Sequence, residues 1–294
     1  MKQGYYHWEG DVNLEFDTRW IPYFLYCART TFATGTTIKV GSGPFTYSFQ
    51  PNILASPDNL VTGGVNRTLS LTVVRNGVRF KYSGGQVTSF EITIDGGILM
   101  FNCHIMGTTF ADDTTAAGAS WVPPRLLGAT AHTINMGDNA LTTSLLAPGP
   151  PVTVTTPMTS TTAASNFNGF TFSVNDNGAV QNRIIPSRAA AFISYGKTDA
   201  QITSQLDFLD NTEYDKFVAT GKKRIQYIGL GTGATTDRVI VNVYDSVYED
   251  YTVQLPGMGD LIMADATFHL LSSGGAAPPF DITVFTDQAI TVPA

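Results

Sequence analysis

Cys103 and His104 are adjacent, and a thiol beside an imidazole is the pair from which a nucleophile and its base are made. They lie in a run of alternating apolar and polar residues, however, where neighbours point to opposite faces of a strand and cannot hydrogen-bond to each other. That pattern predicts a core cysteine and a surface histidine. The histidines, His7, His104, His132 and His269, are scattered along the chain, so spacing gathers no acid–base constellation. Gly229, Gly231 and Gly233 form a loose glycine-rich run after a strand, as in phosphate-binding turns. The next residues, Thr235-Thr236-Asp237-Arg238, lead into another strand, and without a helix amino terminus the anion site is missing. Asn175-Asp176-Asn177-Gly178 lacks the further spaced carboxylates of a calcium loop and suits a type I′ turn. The densest chemical patch is Asp245, Glu249 and Asp250 interleaved with Tyr244, Tyr248 and Tyr251. A metal or sugar site is one reading of it; a solvated turn between two strands, or an acidic surface facing a polyanion, is favoured over that.

Composition narrows the partners. With 17 Lys and Arg against 24 Asp and Glu, the formal charge is −7, which argues against a protein that grips phosphates. The one basic run, Lys222-Lys223-Arg224, is short and reads as a solvated strand edge that discourages unwanted pairing. Cys27 and Cys103 are far apart in apolar runs, which predicts buried free thiols rather than a disulfide or a metal site. No stretch approaches the length of a membrane span, no basic segment with an apolar core opens the chain, and no cofactor or metal is expected.

The elements that must position these residues are strands. Charged residues make up only 14% of the 294, while Thr, Ser, Asn and Gly are abundant, as suits pleated sheets and turns. Residues 68 to 106 read as a four-stranded meander. Leu69, Leu71 and Val73 lead to the turn Asn76-Gly77, and Val78, Phe80 and Tyr82 to Gly84-Gly85. Phe90, Ile92 and Ile94 then lead to Asp95-Gly96-Gly97, and Leu99, Phe101, Cys103 and Ile105 close the unit. Before it come an alternating strand over 6–16, a cap at Asp17-Thr18 and a short helix carrying Trp20, Phe24 and Cys27, with Pro22 in its first turn. The same order returns later: Ile202 to Phe208 alternate, Asp210 to Thr212 offer a cap, Tyr214, Phe217 and Val218 sit at helical spacing, and strands follow over 224–230, 238–245, 251–255 and 262–271. The chain is therefore expected to be mainly β, a duplicated antiparallel β-sandwich or half-barrel module with one short helix per half. Its divisions are 1–107, an extended excursion over 108–165 rich in Thr, Ala, Pro and Gly, and 166–294.

The run from Phe80 through Ser83-Gly84-Gly85-Gln86-Val87-Thr88-Ser89-Phe90-Glu91-Ile92 to Met106-Gly107 resembles the tail tube proteins of long-tailed bacteriophages, in which a tyrosine, a glycine and then a Val-x-Ser-apolar strand recur. Gly169-Phe170-Thr171-Phe172-Ser173-Val174 stands where that family has its second such strand, so the resemblance covers most of the chain. It implies a structural, non-enzymatic virion protein, assembled in the host cytoplasm, whose copies form hexameric rings stacked as a conduit. DNA would pass through without specific binding, and tape-measure and terminator proteins would be further partners. Six copies at −7 each put about −42 formal charges on a ring, suited to a bore along which DNA slides. Family members commonly carry a segment before the opening strand; here that strand starts close to Met1, and the expectation is either that the excursion over 108–165 takes over inter-ring contact or that the family match is a looser one. Contact between subunits is expected at Phe45, Tyr47, Ile53, Leu54, Trp121, Leu126 and Leu127, and an acidic surface or lumen at Glu91, Asp245, Glu249 and Asp250. The alternative is a carbohydrate-binding or adhesin-like β-sandwich using the Tyr244–Tyr251 patch; an enzyme using Cys103 or the acidic patch ranks last.

Overall fold

The computed structural model describes residues 7–28, 30–32, 45–51, 68–75, 78–95, 97–112, 131–138, 167–181, 192–194, 196–208, 211–230, 237–255, 262–271 and 278–287. The chain opens with β1 (Trp8–Glu15), α1 (Ile21–Cys27), β2 (Thr30–Phe32) and β3 (Phe45–Pro51). There follow β4 (Leu69–Arg75), β5 (Val78–Asp95), β6 (Ile98–Gly107), β7 (Thr109–Asp112) and β8 (Ala131–Asp138). After the excursion come β9 (Phe167–Asn175), the small pair β10 (Ala179–Gln181) and β11 (Phe192–Ser194), then β12 (Asp199–Asp207) and α2 (Thr212–Val218). The chain finishes through β13 (Lys222–Leu230), β14 (Arg238–Gln254), β15 (Met263–Leu270) and β16 (Phe280–Thr286).

Fourteen of these strands join one antiparallel sheet whose main path runs β1-β6-β5-β9-β12-β15-β14-β16-β3-β2. Its two ends are not paired with each other, so the sheet is not closed into a barrel; it folds back on itself as a sandwich. The front layer runs from β1 to β15, and the back layer holds β8, β13, the first half of β14, β16, β3 and β2. Inward residues of the two layers meet ring to ring: Phe172 of β9 lies 5.0 Å from Phe280 of β16, and Phe170 stacks 4.7 Å from Tyr227 of β13. Each fully buried side chain of this size stabilises the fold by about 1.5–3 kcal/mol. α1 follows β1 and leads into β2, joining the open ends, and its buried residues Ile21, Pro22, Leu25 and Cys27 seal the core there.

Three turns expected from the sequence are not turns. Gly84-Gly85 does not end a strand: β5 continues through both for 18 residues. Gly84 takes a φ of +68°, a register shift follows between Val87 and Ser89, and the strand bends instead of reversing. The first half of β5 pairs with β4 and β7, the second half with β6 and β9. Trp8 fixes the bend, its indole donating to the Ser83 carbonyl at 3.1 Å and lying over Gly85 and Gly107. Likewise 245–250 is no turn, because β14 is continuous over 17 residues and merely shifts register between Tyr248 and Asp250 as it passes from the back layer to the front. Asn175 to Gly178 also fails to make a hairpin. β9 pairs with β5 and β12, and Asp176 is buried at a corner where its amide donates to the Thr88 carbonyl at 2.9 Å.

The caps differ too. Asp17 does not cap α1 with its side chain; its carboxylate accepts from the Arg19 amide at 2.8 Å, and Trp20 stands outside the helix, exposed. α2 likewise has no side-chain cap. The expected recurrence is visible in the pairing. β1 pairs with β6, β6 with β5 and β5 with β4; β12 pairs with β15, β15 with β14 and β14 with β13. A helix follows the first strand of each series, and the third strand of each is the long, bent one.

Candidate functional site

Alternation along the front layer sends Phe90, Ile92, Phe101, Cys103, Phe172, Ile202 and Phe268 inward. Their neighbours must then face out, and they form continuous cross-strand rows. One row is Asp11, His104, Ser89, Asn175 and Asp199; the next is Asn13, Asn102, Glu91, Ser173, Gln201 and His269. A third runs Thr93, Thr171, Thr203, Thr267 and Asp250. None of the rows contains Lys or Arg. The side chains are held by their neighbours: the Asn102 amide donates to Glu91 at 3.3 Å, and the Thr93 and Thr171 hydroxyls lie 2.8 Å apart. His104 donates through Nδ1 to Asp11 at 2.7 Å, and His269 Nδ1 lies 3.3 Å from Asp199. A groove of about 350 Å³, lined by Asp11, Glu91, His104, Asn175 and Asp199, runs along these rows.

Chemically this face offers carboxylates, amides and hydroxyls to solvent and repels polyanions. It holds no nucleophile with its base. Cys103 is on the far side of the sheet from His104, and burial, with the Asp11 charge adding to it, pushes its thiol up to about 12. Among the described residues no group of three His, Cys, Asp or Glu side chains could hold a metal ion, and no helix is long and apolar enough to cross a membrane.

The acidic residues singled out in the sequence separate. Glu91 stands in the middle of the polar face, half-buried. Glu249 and Asp250 are exposed at the β14 register shift, where the Asp250 carboxylate accepts from its neighbour's amide at 2.8 Å. Asp245 belongs to neither group, being engaged by Lys222 at 2.9 Å.

The tyrosines around it are also committed internally. Tyr244 donates to buried Asp281, Tyr248 donates to Glu213, and Tyr251 stacks 6.0 Å from Phe217 of α2. No flat aromatic platform is left for a sugar there, and nothing favours the adhesin alternative. The basic run is not a solvated edge, since β13 lies between β14 and β8. Lys223 is 1% exposed, its ammonium held 2.7 Å from Glu213. Strand alternation turns Lys223 inward beneath α2, and the helix supplies the carboxylate that its burial requires.

Of the expected contact residues, Phe45 and Tyr47 are buried in the subunit's own core, because β3 is paired with β16 and β2 and turns its odd-numbered residues inward. Ile53, Leu54, Trp121, Leu126 and Leu127 lie outside the described residues. Sequence inspection found Glu91 but missed the rows around it, since Asp11 and Asp199 come to one face only when β1 and β12 are placed in one sheet.

A search of curated proteins finds no match. The family model described as phage tail tube protein matches residues 2–270, nearly the whole chain. A mainly β sandwich, matched to that model over nearly its whole length, belongs to the phage tail tube protein family and is a structural component of the virion tail.

Proposed function

We propose that six copies of this chain close into a ring, that rings stack into a tube, and that the outer face of the front layer lines the bore through which the genome passes. The observation that carries the assignment of faces is the row pattern without Lys or Arg from Asp11 across to His269 and Thr267. DNA carries one phosphate charge per ~1.7 Å of duplex, and every Lys or Arg in a bore would be a site of counterion release and arrest. Carboxylates, amides and hydroxyls offer none. The back layer is unsuited to the same role, since its outer face carries Arg224 and Arg238, with the Arg238 guanidinium 3.9 Å over the Phe285 ring. Tape-measure and terminator proteins are the further partners in this scheme, and assembly takes place in the host cytoplasm.

Negative-stain microscopy of the purified chain is expected to show rings or tubes about as wide as a phage tail. A dispersed monomer at high concentration would overturn assembly. To test the facing, Thr171→Arg and Gln201→Arg are placed together in phage tails. Tails of normal length with slowed DNA release are expected, and unchanged release would remove the front face from the bore.

A further inference from the structure

β6 and β15 hold the same place in the two recurring strand series, and each begins opposite the last residue of the long bent strand: Ile98 faces Asp95, and Met263 faces Gln254. Counted from there, the seventh residue of each is a histidine, His104 and His269. The outward positions beside them differ, Asn102 answering to Thr267 and Met100 to Asp265. The pairing recurs with the histidine. Nδ1 of His104 lies 2.7 Å from Asp11 on β1, and Nδ1 of His269 lies 3.3 Å from Asp199 on β12, the first strands of the two series.

An ionised carboxylate only accepts, so in each pair Nδ1 carries the proton and Nε2, across the ring from the carboxylate, keeps its lone pair. The side chains are 29% and 36% exposed, open to solvent protons. The charged groups around His104 are Asp11 and Glu9 on β1 and Glu91 on β5. Around His269 they are Asp199 on β12 and Glu249 at the β14 register shift. Two cations border the second pair. Lys197 stands two residues before Asp199, and Lys222 lies across Val247 of β14, engaged by Asp245 at 2.9 Å.

Histidine is the side chain whose charge ordinarily changes between pH 5 and 8. Resting on the bore assignment above, we infer that the two histidine–carboxylate pairs make the front face a pH-sensitive brake on DNA. At neutral pH the three rows carry carboxylates alone, −4 per copy on Asp11, Glu91, Asp199 and Asp250; with both imidazoles charged they carry −2. Repulsion is halved, and each Nε2–H becomes a charged donor that a phosphate oxygen can accept from.

The test uses tubes of the full chain and a fluorescent DNA duplex, with co-sedimentation as the readout. At pH 8 the duplex is expected to stay in solution. At pH 5.5 retention should rise about tenfold or more and be lost again between about 50 and 200 mM salt, since phosphate contacts release counterions. His104→Asn with His269→Asn keeps a donor for each carboxylate and adds no charge, so these tubes should retain as little in acid as at pH 8. His104→Gln with His269→Gln is a second variant of the same kind. No rise in the parent, or an equal rise in parent and double variants, would overturn the brake. The bore assignment is judged separately, because Thr171→Arg with Gln201→Arg puts fixed cations on the same face. A duplex held by those tubes at pH 8, while the parent gains nothing in acid, would refute the histidines and leave the bore assignment standing. Unchanged DNA release from tails carrying the arginines is instead the failure of the bore assignment itself.

Discussion

Replacing Glu213 with glutamine probes the ion cluster that holds α2 against β13 and β14. Lys223 is 1% exposed, and its ammonium has Glu213 at 2.7 Å, with the Tyr248 ring 5.7 Å away. Glu213 in turn receives Lys216 at 3.0 Å and the Tyr248 hydroxyl. Removing one partner of a buried pair leaves the other charge uncompensated and costs about 3–5 kcal/mol. The Glu213 side chain keeps 13% of its exposure, which places the expected loss near the lower end, about 3 kcal/mol. At roughly 2–4 °C per kcal/mol that lowers Tm by about 6–12 °C. The assay is urea and thermal denaturation of the unassembled subunit. Adding Lys223→Met to Glu213→Gln should recover most of the loss, because an apolar side chain of similar length needs no counter-charge. Acid provides an independent arm. Burial pushes the Glu213 carboxyl up, but hydrogen bonds from Lys223, Tyr248 and Lys216 outweigh it and hold the group below its ordinary value of 4.5. A depressed carboxyl contributes stability that is present above its unfolded pKa and lost as pH falls through the folded one. The parent should therefore weaken below about pH 4.3, and the glutamine variant should have lost this component of that slope. A cost under about 1 kcal/mol, or no rescue by Lys223→Met, would refute the cluster as the anchor of α2.

Two further outcomes follow from the packing. Gly107→Ala would set a Cβ 2.0 Å from the Trp8 ring, and backbone in a strand cannot retreat that far, so the indole must leave its seat at the β5 bend. The expected cost is about 1–3 kcal/mol in a melt, with a change in near-ultraviolet dichroism; an unchanged spectrum would show that Trp8 does not fix the bend. Cys103, with its thiol pushed up to about 12, should react with a thiol reagent at pH 8 only after denaturant is added, and fast labelling of the native subunit would place it outside the core.

Much of the fold was legible because strand alternation is a local property. The inward set Phe90, Ile92, Phe101 and Cys103 is spaced in the sequence as it is in the sheet, and the same spacing separates Cys103 from His104 without any knowledge of partners. The short helices were legible as well, down to Pro22 in the first turn of α1. What misled was glycine and charge. Gly84-Gly85 and Asp245 to Asp250 carry the composition of turns, yet both sit in strands that bend between layers, where φ freedom and a bulge serve a corner as well as a reversal. Lys222 to Arg224 has the composition of a solvated edge, but whether a strand lies at an edge is decided by whether others pair with it.

By itself, the sequence determined the class, the strand faces and the order of parts, because periodicity and turn chemistry act over a few residues. It also determined the family, because the match extends over 2–270. Only the tertiary structure decided which strands are neighbours. The Asp11–Asp199 row joins residues of five strands, Lys223 meets Glu213 beneath α2, and Phe172 reaches Phe280 across two layers. Such contacts bring together residues far apart in the chain, and sheet topology, which no local pattern encodes, sets which of them meet.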